Sequence, residues 1–387
     1  MIFFLLIFLT IYGLFHLYVF IKIKFAFTLG AQSSLLIILF MILMIMAPII
    51  VRMSEKYGFE ALARIFSHIG YTWMGLVFIF ICTSLLVDIY RFAIHKAGTL
   101  FQMSSPYLSL SPQSAFFISL LATVIIALYG YFEAGSIQKD TVTIENPKIP
   151  KEIGEIAIAQ ISDIHLGLIV RHERLKRILR VVKEAEPDIL ISTGDLVDGQ
   201  ICNLTGLAEL FHPIDPKYGK FAITGNHEFY AGLDQALRFT EKAGFQILRG
   251  ENVTVADVIN IVGIDDWTGK RMGLFKGKSE KDILSTLSQE KFTLLLKHTP
   301  LVDKDATGLF DLQLSGHTHK GQIFPFNLII KLIFPADAGL VYLNNNSCLY
   351  INRGSGTWGP PIRFLSPPEV TIIKLVHEDK TGNSGPT

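Results

Sequence analysis

Four uncharged apolar stretches fill the front of this 387-residue chain, from Met1 to Ile21, from about Ser34 to Val51, from about Tyr71 to Val87 and from about Ser114 to Phe132. Each is close to the roughly 20 residues that a helix needs to cross a bilayer. They predict an α-helical transmembrane region over 1–134 with four spans. The average composition, 50% hydrophobic and 18% charged, conceals a nearly charge-free front and an ordinary soluble back. Met1-Ile2-Phe3-Phe4 lacks a basic leader, and no small-residue cleavage site follows the first run, so an uncleaved anchor is expected. Because the spans hold almost no ionisable residues, an anchor or lipid-binding bundle is expected rather than a transporter. His16 and His68 lie near span ends, where interfacial placement is the expectation.

Basic residues in short flanks orient such segments. With the amino terminus inside, the inner flanks hold Arg52, Lys56, Arg64, Lys139, Lys148 and Lys151, against Lys22, Lys24, Arg91 and Lys96 outside. That bias places the back half on the cytoplasmic side of the inner membrane. Cys82, Cys202 and Cys348 are scattered and odd in number, so no disulfide framework argues for an oxidising compartment. A linker rich in Lys, Pro and Glu, residues 135–154, leads into an alternation of apolar runs and amphipathic segments over 155–376, an α/β pattern. The polar end, 377–387, reads as a disordered tail.

Five polar motifs punctuate that α/β region in a fixed order: Asp163-Ile164-His165, Gly194-Asp195-Leu196-Val197-Asp198, Gly225-Asn226-His227-Glu228, His298-Thr299-Pro300 and Gly316-His317-Thr318-His319. Each follows a short apolar run, so the side chains emerge from strand ends and gather at one sheet edge. Carboxylate and amide oxygens with imidazoles, and no cysteine, suit Mn, Fe or Zn. Asp163, His165 and His319 can hold one divalent ion and Asn226, His298 and His317 a second, with Asp195 bridging. Such a pair, about 3.5–4 Å apart, clamps the attacking and leaving oxygens of a displacement at phosphorus.

In these motifs the chain resembles the calcineurin-like metallophosphoesterases, over roughly residues 156–376. The resemblance implies a four-layered α/β/β/α sandwich and a dinuclear hydrolase of phosphoester or pyrophosphate bonds, with Mn the first-choice ion. It also implies that His227, beside the ions rather than on them, protonates the leaving oxygen with help from Asp198. Within the family, the UDP-2,3-diacylglucosamine hydrolases of lipid A synthesis act on a lipid diphosphate at the cytoplasmic membrane face. A membrane bundle fused to this domain makes most sense with an amphiphilic substrate, which makes UDP-2,3-diacylglucosamine the expected one. The alternatives are another phospholipid, a prenyl diphosphate, a less selective phosphodiesterase, or a catalytically silent membrane scaffold. Net charge of +1, without an extended basic and aromatic stripe, gives no reason to expect a nucleic acid partner.

Three cations are candidates for substrate phosphate. Lys320 stands where many relatives have the first glycine of Gly-His-Thr-His-Gly-Gly-Gln; Arg353 and Arg363 lie in a closing Gly- and Pro-rich segment, where either can instead brace the loop. Glu228 is either a carboxylate supporting the ligands or a solvated loop residue. The nearly wholly apolar run Ile323 to Phe334 reads first as buried core, and alternatively as a surface for acyl chains or lipid.

Overall fold

The computed structural model describes residues 2–101, 108–199, 204–275 and 277–378. It divides into a unit of Met1–Phe132 with Gly359–Phe364 and a unit of Glu133–Trp358 with Leu365–Thr387.

The first unit is built on α1 (Ile2–Ala26), α2 (Ala31–Lys56), α3 (Glu60–Phe101) and α4 (Pro112–Glu133). All four are long and apolar enough to cross a membrane. At 1.5 Å per residue α3 is about 63 Å long, twice the hydrocarbon core of a bilayer. Small residues let the helices approach: a Cβ on Gly70 of α3 would lie 2.5 Å from that of Ala47 on α2. Between α3 and α4, the Thr83 and Thr123 hydroxyls bond each other at 3.1 Å. His16, expected at an interface, is instead 2% exposed, because α1 continues five residues beyond Ile21 and leaves it inside the bundle. Its Nδ1–H donates to the Tyr12 carbonyl and its Nε2 accepts from the Trp73 indole, 2.9 Å away. The bundle also holds a charge pair that the span boundaries excluded, Lys22 on α1 with Asp88 on α3, joined by the Tyr18 hydroxyl.

Gly359–Phe364 packs into these helices although it lies more than 220 residues beyond them. The Arg363 N–H donates to the Gly130 carbonyl at 3.0 Å, and the rings of Phe364 and Tyr129 meet edge to face. A Cβ on Gly130 would fall 2.6 Å from the Arg363 carbonyl oxygen, so α4 needs glycine there.

The second unit contains two six-stranded sheets. The strands are β1 (Gln138–Asn146), β2 (Glu155–Ile161), β3 (Ile189–Ser192), β4 (Lys220–Ala222), β5 (Gln246–Ile247), β6 (Glu251–Val255), β7 (Ile259–Ile264), β8 (Phe292–Lys297), β9 (Leu312–Ser315), β10 (Gly339–Tyr342), β11 (Cys348–Ile351) and β12 (Glu369–His377). One sheet runs β1-β12-β2-β3-β4-β5 and the other β10-β11-β9-β8-β7-β6. In the first, β2 to β5 are parallel; in the second, β7, β8, β9 and β11 are. Parallel strands are covered on both faces, which is why Ile189-Leu190-Ile191 and Leu294-Leu295-Leu296 are continuously apolar.

Ile158, Ile191 and Phe221 of one sheet meet Ile261, Leu294 and Leu314 of the other in the inner core. On the outer face of the first sheet lie α5 (His172–Glu184) and α7 (Leu233–Lys242), which bury Leu175, Ile178, Val182 and Phe239. On the other outer face, α9 (Glu280–Leu284) buries Ile283 and Leu284 against Val262 and Leu295. The expected four-layered α/β/β/α sandwich is thus present. Short helices α6 (Asn226–Ala231), α8 (Trp267–Arg271) and α10 (Asn327–Ile333) sit among the loops.

The segment 135–154, expected as a linker, contributes β1, whose alternate residues Val142 and Ile144 pack against the inner core. Of the tail expected over 377–387, His377 ends β12 and residues 379–387 lie outside the described residues. The core reading of Ile323 to Phe334 is overturned. Ile323 is buried, but no residue of α10 is, and Leu328, Ile329, Leu332 and Ile333 are all exposed.

Candidate metal centre

The five motifs follow the carboxyl ends of β2, β3, β4, β8 and β9. Loops at those ends are where open α/β sheets collect ligands. Here each loop curls sharply: Asp163, His165, Asp195, His317 and His319 all have φ between 48° and 70°, as does Lys320. Left-handed backbone at non-glycine residues costs about 1–3 kcal/mol each and persists where surrounding structure enforces it. Enforcement comes from close packing. A Cβ on Gly316 would lie 1.9 Å from the Ser162 Oγ and 2.2 Å from an Asp163 oxygen, so the fifth motif opens with glycine because its backbone rests on the first motif's carboxylate.

Asp163, His165 and His319 offer ligand atoms that lie within 4.8 Å of one another, and so do Asp195, His298 and His317, and the linking trio His165, Asp195 and His227. In the first group the Nε2 atoms of His165 and His319 face each other at 3.1 Å, and His319 Nε2 is 3.5 Å from an Asp163 oxygen. In the second, the Nδ1–H of His298 is committed to the Thr193 carbonyl at 2.8 Å. Its Nε2 therefore faces Asp195 Oδ2, Asn226 Oδ1 and His317 Nδ1, each 3.2 Å away. Such crowding of lone pairs demands positive charge at their centre, a proton or a cation, and the oxygen and imidazole donors are those of a divalent metal site. Asp195 belongs to both halves, 3.8 Å from His165 and 3.2 Å from His298.

The electrostatics agree. Burial alone raises the Asp195 carboxyl, but the imidazoles of His298, His227 and His165 outweigh it and hold the group well below the usual carboxylate range. Burial is also the first influence on His298, pushing it down, yet Asp195 and then Asp163 keep it well above an ordinary imidazole. His165 is driven well below the ordinary value by burial, then by its neighbours His227 and His319, which leaves a neutral ring fit to ligate.

His227 stands at the margin of this group. Its N–H donates to Asp195 Oδ1 at 2.8 Å, while its Nδ1–H donates to Asp198 Oδ1, also at 2.8 Å. Burial lowers its pKa, but Asp195 and Asp198 together lift it to about 9. Glu228, ambiguous in the sequence, is 2% exposed and takes the supporting role: its carboxylate accepts the N–H groups of Asp195, Leu196 and Gly225 at 3.0, 2.8 and 2.6 Å. Burial, then the charge of Asp195, pushes it up to about 7.

Two exposed aromatics that no motif signalled flank His227, with Tyr230 and Trp358 at ring distances of 5.5 and 5.7 Å. Gln322 pins Trp358 by pairing with its backbone N–H and carbonyl, both at 2.9 Å. Of the three cations proposed for phosphate, Lys320 directly follows His319 and lines a cavity of about 470 Å³. Arg353 lines the same cavity but is engaged by Asp140 and Glu369, each at 2.6 Å, the bracing alternative. Arg363 is fully buried and belongs to the helical unit.

A two-sheet sandwich with adjoining histidine–carboxylate clusters around Asp163 and Asp195 at its strand ends defines the class: a phosphoesterase of the metal-dependent kind. Residues 156–321 match the calcineurin-like phosphoesterase family model. The chain is 41% identical over 257 residues to an uncharacterized metallophosphoesterase of Aquifex aeolicus, covering 66% of this chain and 98% of that one. It therefore belongs to the calcineurin-like phosphoesterase family. It is also similar to zebrafish (Danio rerio) and bovine (Bos taurus) proteins, each described as a transmembrane protein with metallophosphoesterase domain. Identity is 32% to the zebrafish protein, over 67% of this chain and 62% of that one. To the bovine protein it is 29%, over 80% of this chain and 74% of that one, a match too long to be confined to the residues after Glu133.

Proposed function

We propose that this chain is a membrane-embedded hydrolase that cleaves a phosphoester or pyrophosphate bond of an amphiphilic substrate, using two divalent ions, Mn first. The observation that carries the reading is the set of donor clusters around Asp163 and Asp195, with His227 beside them and its Nδ1 2.8 Å from Asp198 Oδ1. Asp163, His165 and His319 would hold one ion and Asn226, His298 and His317 the other, with Asp195 shared between them. Such ions, when bound, would supply a hydroxide nucleophile at neutral pH and neutralise charge on the phosphoryl oxygens. The rest falls to the chain. His227 gives its proton to the leaving oxygen, Asp198 fixes the ring by holding Nδ1–H, and Glu228 keeps the backbone of both motifs in register. Lys320 meets a substrate phosphate as a mobile charge, and Trp358 with Tyr230 bounds the leaving group. A lipid diphosphate is the substrate class favoured by fusion to four bilayer-length helices, and UDP-2,3-diacylglucosamine is the first to test.

The purified full chain should hydrolyse bis(p-nitrophenyl) phosphate and a lipid diphosphate when Mn is supplied. Chelation and dialysis should abolish both activities and re-addition of Mn restore them. Turnover undiminished after chelation would sink the dinuclear mechanism.

A further inference from the structure

The helix α10 carries its apolar residues outward. Leu332 is 86% exposed, Ile333 61%, Leu328 54% and Ile329 48%, and Phe324 and Phe326 just before it are more than 40% exposed. At about 100° per residue the four helix positions fall within an arc of roughly 140°, while Asn327 and Ile330 lie half-buried on the opposite side. This inverts the pattern of a soluble surface helix. Lys331 is the one charged residue between Ile323 and Phe334; it lies beside the stripe with its ammonium 3.5 Å from Asp337, its stem able to run along apolar surface. Exposed apolar stripes of this kind mark a surface that meets lipid or protein.

The same chain decides between those occupants. It carries four helices long and apolar enough to span a bilayer, so its catalytic unit is covalently held beside a lipid surface. Phenylalanines at the start of the stripe and a lysine at its edge are the composition of a segment lying in the boundary between headgroups and acyl chains. We propose that α10, with Phe324 and Phe326, enters that boundary and seats the metal centre against the bilayer. It rests on the reading of the substrate as amphiphilic and gives it a route. The turn His319–Gly321 packs on α10, and the Phe334 ring lies 5.9 Å from that of His317. A phosphate at headgroup depth then lies one helix away from the metal donors.

The test uses the full chain with its three cysteines replaced by serine, carrying Leu332→Cys labelled with an environment-sensitive fluorophore. It is reconstituted in vesicles of phosphatidylcholine and phosphatidylglycerol. A label at Lys176→Cys on α5 serves as control. The Leu332 label should be quenched by lipids spin-labelled on the acyl chain and shielded from aqueous iodide, with the control behaving oppositely. Iodide access equal to the control would overturn the proposal, as would shielding from both quenchers, which would mean that protein covers α10. This readout needs no turnover, so it stands or falls apart from the substrate assignment. With activity, Leu332→Ser combined with Ile333→Ser should raise the apparent KM for a vesicle-borne lipid diphosphate by about tenfold or more and spare bis(p-nitrophenyl) phosphate. Equal loss on both substrates with a lowered Tm would assign the residues to the core instead and overturn it.

Discussion

Glu228 accepts hydrogen bonds from four backbone N–H groups, those of Asp195, Leu196, Val197 and Gly225, so its work is to hold the loops that carry Asp195 and Asn226. Glu228→Ala leaves those buried N–H groups without partners, at about 1–3 kcal/mol each, and should weaken Mn binding by about 10–100-fold, read by metal titration. The roles at the margin separate cleanly. Asn226→Ala and Asp195→Ala should lose metal and activity together, whereas His227→Ala should keep metal and lose about 100-fold or more in kcat. Unchanged turnover in the His227 variant would remove it as the acid. These residues were legible because their chemistry travels in short motifs whose order survives in one dimension. The partners of Arg353 were not, since Asp140 lies 213 residues away and only the pairing of β1 with β12 brings it close. Nothing in the sequence around Trp358 signals that Gln322 holds it beside His227.

Among elements, the β2 to β5 strands and their helices could be read from apolar runs and amphipathic stretches, whereas α10 could not be placed. A short apolar run looks the same whether it faces a core or solvent; the outward turn of its stripe is a tertiary fact. The helices also run beyond the expected spans. Lys22 and Asp88 marked boundaries in hydropathy, yet pairing lets α1 and α3 run past them. Asp88→Asn should destabilise the bundle by about 1 kcal/mol, since the pair is only partly buried, and Lys22→Met with Asp88→Leu should recover much of that. Unfolding of the detergent-solubilised chain measures both, and no recovery in the double variant would give the pair a role beyond structure. In the catalytic unit, Gly316→Ala forces the loop after β9 away from Asp163 and should cost roughly 1–3 kcal/mol, lowering Tm together with metal affinity.

For the whole molecule, metal and fold are linked. Ions bound by the native state alone stabilise it by about 4.1 kcal/mol at a thousand times their Kd. For a unit of this size that is a rise of roughly 8–16 °C in Tm on adding Mn, checked by thermal melts with and without chelator; a Tm indifferent to Mn would argue that the donor clusters do not take it. The two-part organisation was legible from composition, but the assignment of Gly359–Phe364 to the helical unit was not, because six residues of Gly, Pro, Ile, Arg and Phe carry no periodicity. That assignment has a consequence for biogenesis. Ribosomes deliver a chain from its amino end, and the four helices emerge long before residue 359 exists. Their packing around Gly75, where a Cβ would lie 3.1 Å from Pro360, and around Gly130 stays unfinished until residues 359–364 have been translated, so a transcript truncated after the metal motifs would leave a bundle with an unfilled groove.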